Sequence, residues 1–485
     1  MQISDKKLLK TQAYVNGVWI DADSGATLAV TNPANGDTIA RIAKCGTVET
    51  RRAIEAAHSA LPAWRNKVPK ERAAILRRWY TLMMEAQDDL AQILTAEQGK
   101  PLAEAKGEIA YGASYIEWFA EEGKRIYGDT LAGPSNDKRV IVIKQPVGVV
   151  ACITPWNFPN AMLTRKIAPA LAAGCTVVCK PANETPLSAL AIVELAERAG
   201  VPAGVINIVA GITREIGAEL TANPIVRKLT FTGSTAVGKL LIEQCAATVK
   251  RTSMELGGNA PFIVFDDADL DAAVKGAMIC KFRNAGQTCV CANRILVQEG
   301  IYDEFAARLV SAMASLKLGV GTDSGVNMGP LINEGAANDV LTFVEDAVAK
   351  GAKVAVGGGG SDLGACYVQP TVLTNVGKDM KVFKEEIFGP IAPLFKFKTE
   401  AEAIAMANDT EFGLACYFYS RDIGRVWRVA EGLEYGIVGI NEGIISNEMA
   451  PFGGMKESGQ GREGSKYGLD DYLEIKYMCV GGLNQ

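Results

Sequence analysis

Histidine is nearly absent from this chain, since His58 is the only histidine among its 485 residues. Cysteine and serine hydrolases usually activate their nucleophile with an imidazole. His58 lies in a helical pattern that begins near Thr50, far along the chain from every candidate nucleophile. Any covalent catalysis by this protein must therefore take its base from a carboxylate, a lysine or water.

Long apolar runs and basic stretches are missing as well. No uninterrupted run reaches the roughly 18 apolar residues of a membrane span, and residues 1–7 lack the apolar core of a signal peptide. The formal net charge is -5, and no basic run is interleaved with aromatic residues. We therefore expect no membrane partner and no nucleic-acid partner.

The 11 cysteines show no ladder of regular spacings. An odd count in a chain without an export signal predicts reduced thiols in the cytoplasm, most of them packed as small apolar side chains. Cys289 and Cys291 are too close together for a zinc knuckle, and no second Cys/His pair is nearby. No metal site is predicted.

The order of elements indicates an α/β fold. The length exceeds what a single core usually supports, and from about residue 140 short β-branched runs alternate with helical segments. A second alternating block follows Glu255. This pattern predicts two doubly wound open-sheet lobes. Upstream, the apolar spacing predicts one long helix over 70–98, and helical segments such as 187–199 are expected to be amphipathic.

One segment fits neither lobe. Residues 126–146 place a polar turn between extended stretches, which predicts a protruding hairpin, and residues 472–478 alternate like a further strand. An exposed strand edge invites pairing with another chain. We expect a homo-oligomer, either a dimer or a tetramer built as a dimer of dimers.

Cys289 and Glu255 are the candidate nucleophile and base. Each lies in a compact segment of small, turn-forming residues, 282–291 and 254–259. A thiol can attack an electrophilic carbon, and a carboxylate whose pKa is raised by burial can act as a general base.

Three further segments follow predicted strands. Gly233-Ser234 opens a helix whose N-terminus could bind a pyrophosphate, although an ordinary βα turn would look the same. Lys180 ends a strand, where it could contact a ribose or phosphate or be a solvated charge. Asn157 stands between Pro155 and Pro159, so its amide could be aimed at an oxyanion or belong to a plain aromatic turn.

Seven short motifs follow one another in a fixed order. They are Trp156-Asn157-Phe158-Pro159, Lys180-Pro181, Phe231-Thr232-Gly233-Ser234, Glu255-Leu256-Gly257-Gly258, Gly286-Gln287-Thr288-Cys289, Glu386-Ile387-Phe388-Gly389-Pro390 and Pro451-Phe452-Gly453-Gly454. Taken together, they resemble the motifs of the aldehyde dehydrogenase superfamily, and the resemblance covers residues 14–478. Within it the chain is most similar to succinate-semialdehyde dehydrogenases, and glutarate-semialdehyde dehydrogenases look very similar.

The resemblance implies a domain plan and a mechanism. Residues 1–125 and 147–257 would form a Rossmann-like NAD(P)-binding domain, 258–470 the catalytic domain, and 126–146 with 471–485 an oligomerisation segment. Cys289 would attack the aldehyde, and Asn157 with the Cys289 backbone N–H would stabilise the oxyanion. Glu255 would then activate the water that hydrolyses the thioester.

The resemblance also implies a cofactor site. Relatives that prefer NAD often hold both ribose hydroxyls with a glutamate three residues after the lysine. Here Asn183 takes that position, which favours NADP over NAD, although the adjacent Glu184 could restore an acid to the ribose. The implied cofactor residues are Thr154, Trp156, Lys180, Asn183, Gly233, Ser234, Glu386 and Phe388.

For the substrate, a carboxylated semialdehyde calls for cations in the pocket. Arg165 and Arg283 match arginines that relatives use for this purpose, with Ser446 and Phe452 beside them, and a structural ion pair is the alternative role for each arginine. Cys291 could form a reversible disulfide with Cys289 or be a packed, inert thiol. Alternatives to succinate semialdehyde are glutarate semialdehyde, another small ω-carboxy aldehyde, a transferase that uses coenzyme A, and a non-catalytic member of the fold.

Overall fold

An eight-stranded sheet forms the centre of the first lobe in the computed structural model, which describes residues 1–483. Its five central strands run parallel, and the two strands at one edge and the single strand at the other are antiparallel to their neighbours. In spatial order the strands are Val18–Ile20, Ala13–Val15, Ile206–Ile208, Thr176–Lys180, Val149–Ile153, Val226–Thr232, Arg251–Glu255 and Gly459–Gln460.

The strand order reverses direction between Val149–Ile153 and Val226–Thr232. Alternate residues of the central strands belong to separate hydrophobic clusters: Val150 and Cys152 in one, Val149 and Ala151 in the other. Helices therefore cover both faces of this sheet. In such doubly wound sheets, ligands bind beyond the carboxyl ends of the strands at the reversal point.

A seven-stranded sheet forms the second lobe. All neighbouring pairs in it are parallel except the first. In spatial order the strands are Lys353–Val356, Thr371–Thr374, Ile391–Phe397, Ala292–Gln298, Ala260–Val264, Ala415–Tyr419 and Ile437–Ile440.

A separate three-stranded antiparallel sheet contains the predicted hairpin, Asp129–Leu131 with Arg139–Pro146, and the predicted C-terminal strand, Leu473–Val480. Ile475 and Tyr477 stand on one face of this sheet, 71% and 63% exposed. The remaining strands form two-stranded pairs: Thr27–Thr31 with Thr38–Ala43, Gly360–Ser361 with Gly364–Val368, and Phe412–Gly413 with Met455–Lys456.

The helices pack around these sheets. Those of the first lobe are Thr47–Arg65, Pro69–Glu85, Gln87–Gln98, Leu102–Glu122, Ala161–Ala173, Pro186–Arg198, Thr213–Ala222 and Thr235–Ala246. Those that follow are Leu270–Phe282, Tyr302–Met313, Glu334–Ala349, Lys381–Lys384, Glu400–Asn408 and Ile423–Gly432. Short 3₁₀ turns lie at Lys6–Leu8, Gly123–Arg125, Arg283–Gly286, Glu299–Ile301 and Tyr467–Tyr472.

Two helix predictions are wrong in detail. The single helix expected over 70–98 is broken at Ala86 (φ -94°, ψ 12°), and a new helix starts with Asp88 and Asp89 in its first turn, where acidic side chains are favourable. Helix Pro186–Arg198 is buried over most of its length, because helices Pro69–Glu85 and Gln87–Gln98 and the turn Lys6–Leu8 all pack against it.

The α/β class is confirmed by the two mainly parallel sheets and by solved relatives described below. The predicted domain limits stay a prediction. Gly459–Gln460, assigned by sequence to the second lobe, pairs with Arg251–Glu255 in the first sheet.

Candidate active site

The candidate site lies at the reversal point of the first sheet. A cavity of about 240 Å³ opens beyond the carboxyl ends of Val149–Ile153 and Val226–Thr232 and reaches the second lobe. The predicted site residues that line it are Trp156, Asn157, Gly233, Ser234, Cys289, Glu386 and Phe388.

A second, much smaller pocket lies on the other side of the thiol. Cys289 lines both spaces, so the candidate nucleophile stands between them. The predicted substrate residues that line this smaller pocket are Arg165, Arg283, Ser446 and Phe452.

The loop that carries Cys289 has an unusual backbone. Helix Leu270–Phe282 is followed by three residues in the left-handed region: Asn284 (φ 51°), Ala285 (φ 54°) and Gly286 (φ 78°). For non-glycine residues this conformation costs about 1–2 kcal/mol each. Gly286 is required, since a Cβ there would lie 2.2 Å from the Gly389 carbonyl oxygen.

Hydrogen bonds from Gln287 hold this turn in place. Its side-chain nitrogen donates to the Asn284 carbonyl at 3.0 Å, and its side-chain oxygen accepts from the Ile332 N–H at 2.9 Å. The turn is therefore determined by its surroundings, as strained backbone at functional sites usually is. It leaves the Cys289 N–H without a hydrogen-bond partner among residues 1–483.

The Cys289 thiol is partly buried. Burial raises its pKa to about 12, and the positive charge of Arg165 offsets this only in part. The thiol is therefore protonated at neutral pH in the free protein, and it needs a base to become nucleophilic.

Glu255 ends strand Arg251–Glu255 and is only 3% exposed. Its Oε2 has no hydrogen-bond partner among the described residues. Burial, and next the negative charge of Glu463, raise its pKa well above the usual value of a glutamate. Such a carboxylate is suited to proton transfer near neutral pH.

The base segment and the nucleophile loop pack directly on each other. A Cβ on Gly258 would lie 2.6 Å from the Cys289 carbonyl oxygen. This close approach explains why glycines follow Glu255 in the sequence.

Glu463 and Lys166 form a buried cluster that sequence reasoning missed. Lys166 Nζ donates to Glu463 Oε1 at 2.5 Å and to Thr230 Oγ1 at 3.2 Å. Burial opposes ionisation of Glu463, but Lys166 and Arg165 hold its pKa below the usual value. The available signal was the adjacent Arg165-Lys166 pair on an otherwise apolar helix, because buried cations need an acidic partner.

Asn157 follows strand Val149–Ile153, and hydrogen bonds hold both its side-chain amide and its backbone carbonyl. Its side-chain nitrogen donates to the Gln287 carbonyl at 3.0 Å, which leaves one amide N–H unused. Its own carbonyl accepts from Lys100 Nζ at 2.8 Å and from Asn284 Nδ2 at 3.1 Å. The side chain therefore has little freedom to reorient.

The pyrophosphate prediction concerns the start of helix Thr235–Ala246. Ser234 occupies the N-cap position but makes no capping bond, so its hydroxyl is free. The hydroxyls of Thr154 and Thr232 are buried without a hydrogen-bond partner in the described part of the chain. Free donors at a helix N-terminus beside a cavity fit a phosphate group, so the residues present fit a dinucleotide.

Lys180 ends strand Thr176–Lys180 and Asn183 follows it, and neither residue lines the cavity. Lys180 Nζ donates to the Pro181 carbonyl at 3.0 Å, and burial lowers its pKa to about 8. Asn183 exchanges hydrogen bonds with the Gly211 backbone at 2.8 and 3.2 Å, whereas Glu184 is exposed.

Glu386 and Phe388 close the cavity from the second lobe. Glu386 Oε1 accepts the Gly258 N–H at 3.1 Å, and burial raises the pKa of this carboxyl to about 8. The Phe388 ring packs edge-on to Trp156 at 5.6 Å, and its backbone is left-handed (φ 52°). A bulky residue with positive φ is uncommon and often marks a functional site.

The two arginines differ in their pairing. Arg165 Nη2 lies 2.6 Å from Glu463 Oε2, although the two groups are not aligned for a hydrogen bond. Its guanidinium also lies 4.0 Å from the centre of the Phe452 ring. Arg283 makes no ion pair within residues 1–483 and stacks over Phe158 at 5.4 Å. Its charge also acts on Glu104, so Arg283 is a cation of this pocket that has a nearby carboxylate but no ion-pair partner in the described chain.

Cys291 is buried outside the lining of both spaces. Its thiol donates to the Lys281 carbonyl at 3.4 Å, and burial raises its pKa. Its role as a redox partner of Cys289 stays a prediction.

Two features are absent from residues 1–483. No group of three or more His, Cys, Asp or Glu side chains there is arranged to hold a metal ion. No helix in the same range combines the length and apolarity needed to cross a bilayer.

A thiol set between a dinucleotide crevice and an arginine-lined pocket is the arrangement of an enzyme that acts covalently on its substrate. The chain belongs to the aldehyde dehydrogenase family, whose model matches residues 19–478. The family predicted from the motifs is confirmed.

Similar proteins span the whole chain. It is 65% identical over 481 residues to an Escherichia coli K12 succinate-semialdehyde dehydrogenase [NADP(+)], covering 99% of this chain and 100% of the relative. It is 64% identical over 483 residues to a Pseudomonas aeruginosa glutarate-semialdehyde dehydrogenase, covering 100% of both. The crystal structure of a Burkholderia pseudomallei succinate-semialdehyde dehydrogenase superposes with a TM-score of 0.99 at 63% identity, covering 99% and 100%.

Proposed function

We propose that the protein oxidises succinate semialdehyde to succinate with NADP, through a thioester on Cys289 that Glu255 helps to hydrolyse. The observation that carries the proposal is the position of Cys289 between the cavity and the arginine-lined pocket. One space suits a nicotinamide and the other an aldehyde with an acidic end.

The small pocket supports the choice of substrate. Arg283, which has no protein carboxylate as partner, can donate to the substrate carboxylate, and Arg165 adds a second positive charge. Succinate semialdehyde is the first candidate because a relative at 65% identity is named for that substrate. Glutarate semialdehyde remains the second candidate because a relative of nearly equal identity bears that name.

The first half of the reaction forms the thioester. The Cys289 thiol gives its proton to Glu255, which passes it to solvent, and the thiolate attacks the aldehyde carbon. The carbonyl oxygen becomes an oxyanion that accepts hydrogen bonds from the free Asn157 amide N–H and the Cys289 backbone N–H. A bound nicotinamide would supply the hydride acceptor for that carbon, and Trp156, Ser234 and Glu386 would hold the cofactor. Arg283 holds the carboxylate end so that the carbon stays beside the sulfur.

The second half releases the acid. Glu255 takes a proton from water, and the resulting hydroxide attacks the thioester carbonyl. The same two N–H groups stabilise the tetrahedral oxyanion, the C–S bond breaks, and Cys289 leaves as a thiolate. The carboxylate base also argues against a transferase that uses coenzyme A, since that reaction needs no activated water.

The preference for NADP rests on the residues beside Lys180. Asn183 puts no negative charge near the ribose, and its amide is held by Gly211. Lys180 would contact the adenosine ribose and its 2′-phosphate, with Trp156 and Ser234 near the pyrophosphate and Glu386 at the nicotinamide ribose. The neighbouring Glu184 is exposed, and its negative charge acts on Lys180, so Glu184 is the acid that would favour NAD in its place.

The proposal includes a cytoplasmic homo-oligomer. All 11 cysteines are free, as expected in a reducing compartment. The three-stranded sheet exposes Ile475 and Tyr477 together with its edge strand Asp129–Leu131, which suits association with a second copy. Light scattering on the wild type and on Ile475→Lys/Tyr477→Lys would test this, because the charged variant is expected to dissociate.

Initial rates of the purified protein test the function. Succinate and glutarate semialdehydes are each supplied with NAD and with NADP, and Cys289→Ala is the control. The expected result is the highest kcat/KM for succinate semialdehyde with NADP and none for Cys289→Ala. Turnover of glutarate semialdehyde alone would make that aldehyde the substrate instead. No turnover with any combination of aldehyde and cofactor would favour a non-catalytic role.

A further inference from the structure

Helix Leu102–Glu122 starts behind the candidate site, and its first turns face both halves of the oxyanion site. Glu104 and Glu108 are four residues apart, which places them on one face of the helix. Lys100, just before the helix, is completely buried with its charge next to Glu108. None of these residues lines either pocket.

Lys100 and Glu108 hold the segment that contains Asn157. Lys100 Nζ donates to the Asn157 carbonyl at 2.8 Å and to Glu108 Oε2 at 2.6 Å. Glu108 Oε1 in turn accepts the N–H groups of Asn160 and Ala161 at 2.9 and 3.2 Å. The segment from Asn157 to the start of helix Ala161–Ala173 is thus held at both ends by one ion pair.

Glu104 holds the loop that carries the candidate nucleophile Cys289. Glu104 Oε2 accepts the backbone N–H of Asn284 at 2.9 Å, where the left-handed turn begins. The Asn284 side chain donates back to the Asn157 carbonyl at 3.1 Å and to the Gln287 carbonyl at 3.2 Å. The carbonyl of Asn157 therefore receives one hydrogen bond from each side.

We propose that Lys100, Glu104 and Glu108 form a buried clamp that sets the spacing between the two oxyanion donors, the Asn157 amide and the Cys289 backbone N–H. They are positioning residues, since none of them touches substrate or cofactor. The inference rests on the proposed function, in which those two groups stabilise the oxyanion.

The composition of the clamp supports a role beyond stability. A buried ion pair is often no better for stability than apolar residues of the same volume, so burying the Lys100 ammonium and the Glu108 carboxylate, with Glu104 half-buried beside them, needs another explanation. Fixing two loops that come from different lobes provides it. An error of about 1 Å in such placement can reduce a rate on the order of 10²-fold.

A double-mutant cycle tests the clamp. Lys100→Met is expected to lower kcat on the order of 10- to 100-fold, within the range for a misplaced oxyanion donor, with little change in KM for either substrate. Lys100→Met/Asn157→Ala is expected to be no slower than Asn157→Ala, because Lys100 acts through Asn157. Formation of reduced cofactor in a single turnover should slow by the same factor in Lys100→Met, since the displaced donors act in the step that forms the thioester.

Glu49→Gln is the matched control. Glu49 is also a buried carboxylate, 5% exposed against 3% for Glu108, and it also accepts two backbone N–H groups, those of Gly46 and Asp23. It lies at helix Thr47–Arg65, away from Asn157. Glu49→Gln should leave kcat and the single-turnover rate unchanged, whereas Glu108→Gln should behave like Lys100→Met.

The outcomes separate the clamp from the function on which it rests. An unchanged kcat in Asn157→Ala would remove the oxyanion assignment and the clamp with it. A slow Asn157→Ala beside a normal Lys100→Met would overturn the clamp alone, as would losses that multiply in the double variant. If Lys100→Met does not fold, Glu108→Gln, which retains the shape of the side chain, enters the same cycle.

Discussion

Arg165, which lines the small pocket beside Cys289, meets Glu463 in the interior, with 2.6 Å between Nη2 and Oε2. Glu463 also forms an ion pair with Lys166, so one carboxylate is paired with two buried cations, Arg165 and Lys166. Its negative charge acts on Glu255, and the positive charge of Arg165 acts on Cys289. The ion pair thus connects the recognition of the substrate with the proton transfers.

Arg283 should carry most of the recognition of the carboxylate. A hydrogen bond to a charged group contributes about 1.5–3 kcal/mol, so Arg283→Ala is expected to raise KM for succinate semialdehyde roughly 10- to 100-fold. Butanal, which has no carboxylate, should be oxidised with nearly unchanged KM. Arg283→Lys keeps the charge without the planar fork, so its KM for succinate semialdehyde should lie between those of the wild type and Arg283→Ala. Equal effects on both aldehydes would show that the arginine is structural.

Glu255 should control the pH dependence of hydrolysis. Its pKa is raised, so the base form is lost as pH falls through that raised value, and a hydrolysis-limited kcat should rise with pH until Glu255 is ionised. Glu463→Gln removes a negative charge that raises this pKa and should move the rise to lower pH. In Glu255→Gln we expect a burst of reduced cofactor followed by slow turnover, measured by stopped-flow absorbance. A normal steady state would exclude Glu255 as the base.

Lys180 should make the affinity for NADP depend on pH. Burial lowers its pKa to about 8, so the ammonium is charged below that pH and neutral above it. KM for NADP should therefore rise as pH passes 8, while KM for NAD changes little. Lys180→Met should bind NADP weakly at all pH values, which serves as the control. A parallel rise for both cofactors would place Lys180 away from the 2′-phosphate.

Gly286 should not tolerate a side chain. Gly286→Ala would put a Cβ 2.2 Å from the Gly389 carbonyl oxygen at a φ of 78°, so the nucleophile loop must shift. We expect activity to fall by at least about 100-fold, since a displacement of about 1 Å has that effect. Gly217→Ala is the control, because that glycine lies in helix Thr213–Ala222 with open space around it. It should stabilise the fold by about 0.5–1 kcal/mol and leave the rate intact.

Several features could be predicted from the sequence because their signals are local. The turn between Thr232 and Thr235, the hairpin over 126–146 and the strand after Tyr472 all follow from neighbouring residues. The break at Ala86 and the burial of helix Pro186–Arg198 could not be predicted in this way, since both depend on which elements pack against these helices. The role of Glu463 was missed for the same reason, since Glu463 is 297 residues away from Lys166 along the chain.

The sequence by itself determined the family, the α/β class and the candidate thiol and carboxylate, because these depend on residue types in short motifs kept in one order. Only the tertiary structure decided which charges are paired: Arg165 with Glu463, Lys100 with Glu108, and Arg283 with no carboxylate of the described chain. Pairing depends on distances of a few ångströms between segments far apart in the sequence, and these distances are set by packing of the whole fold.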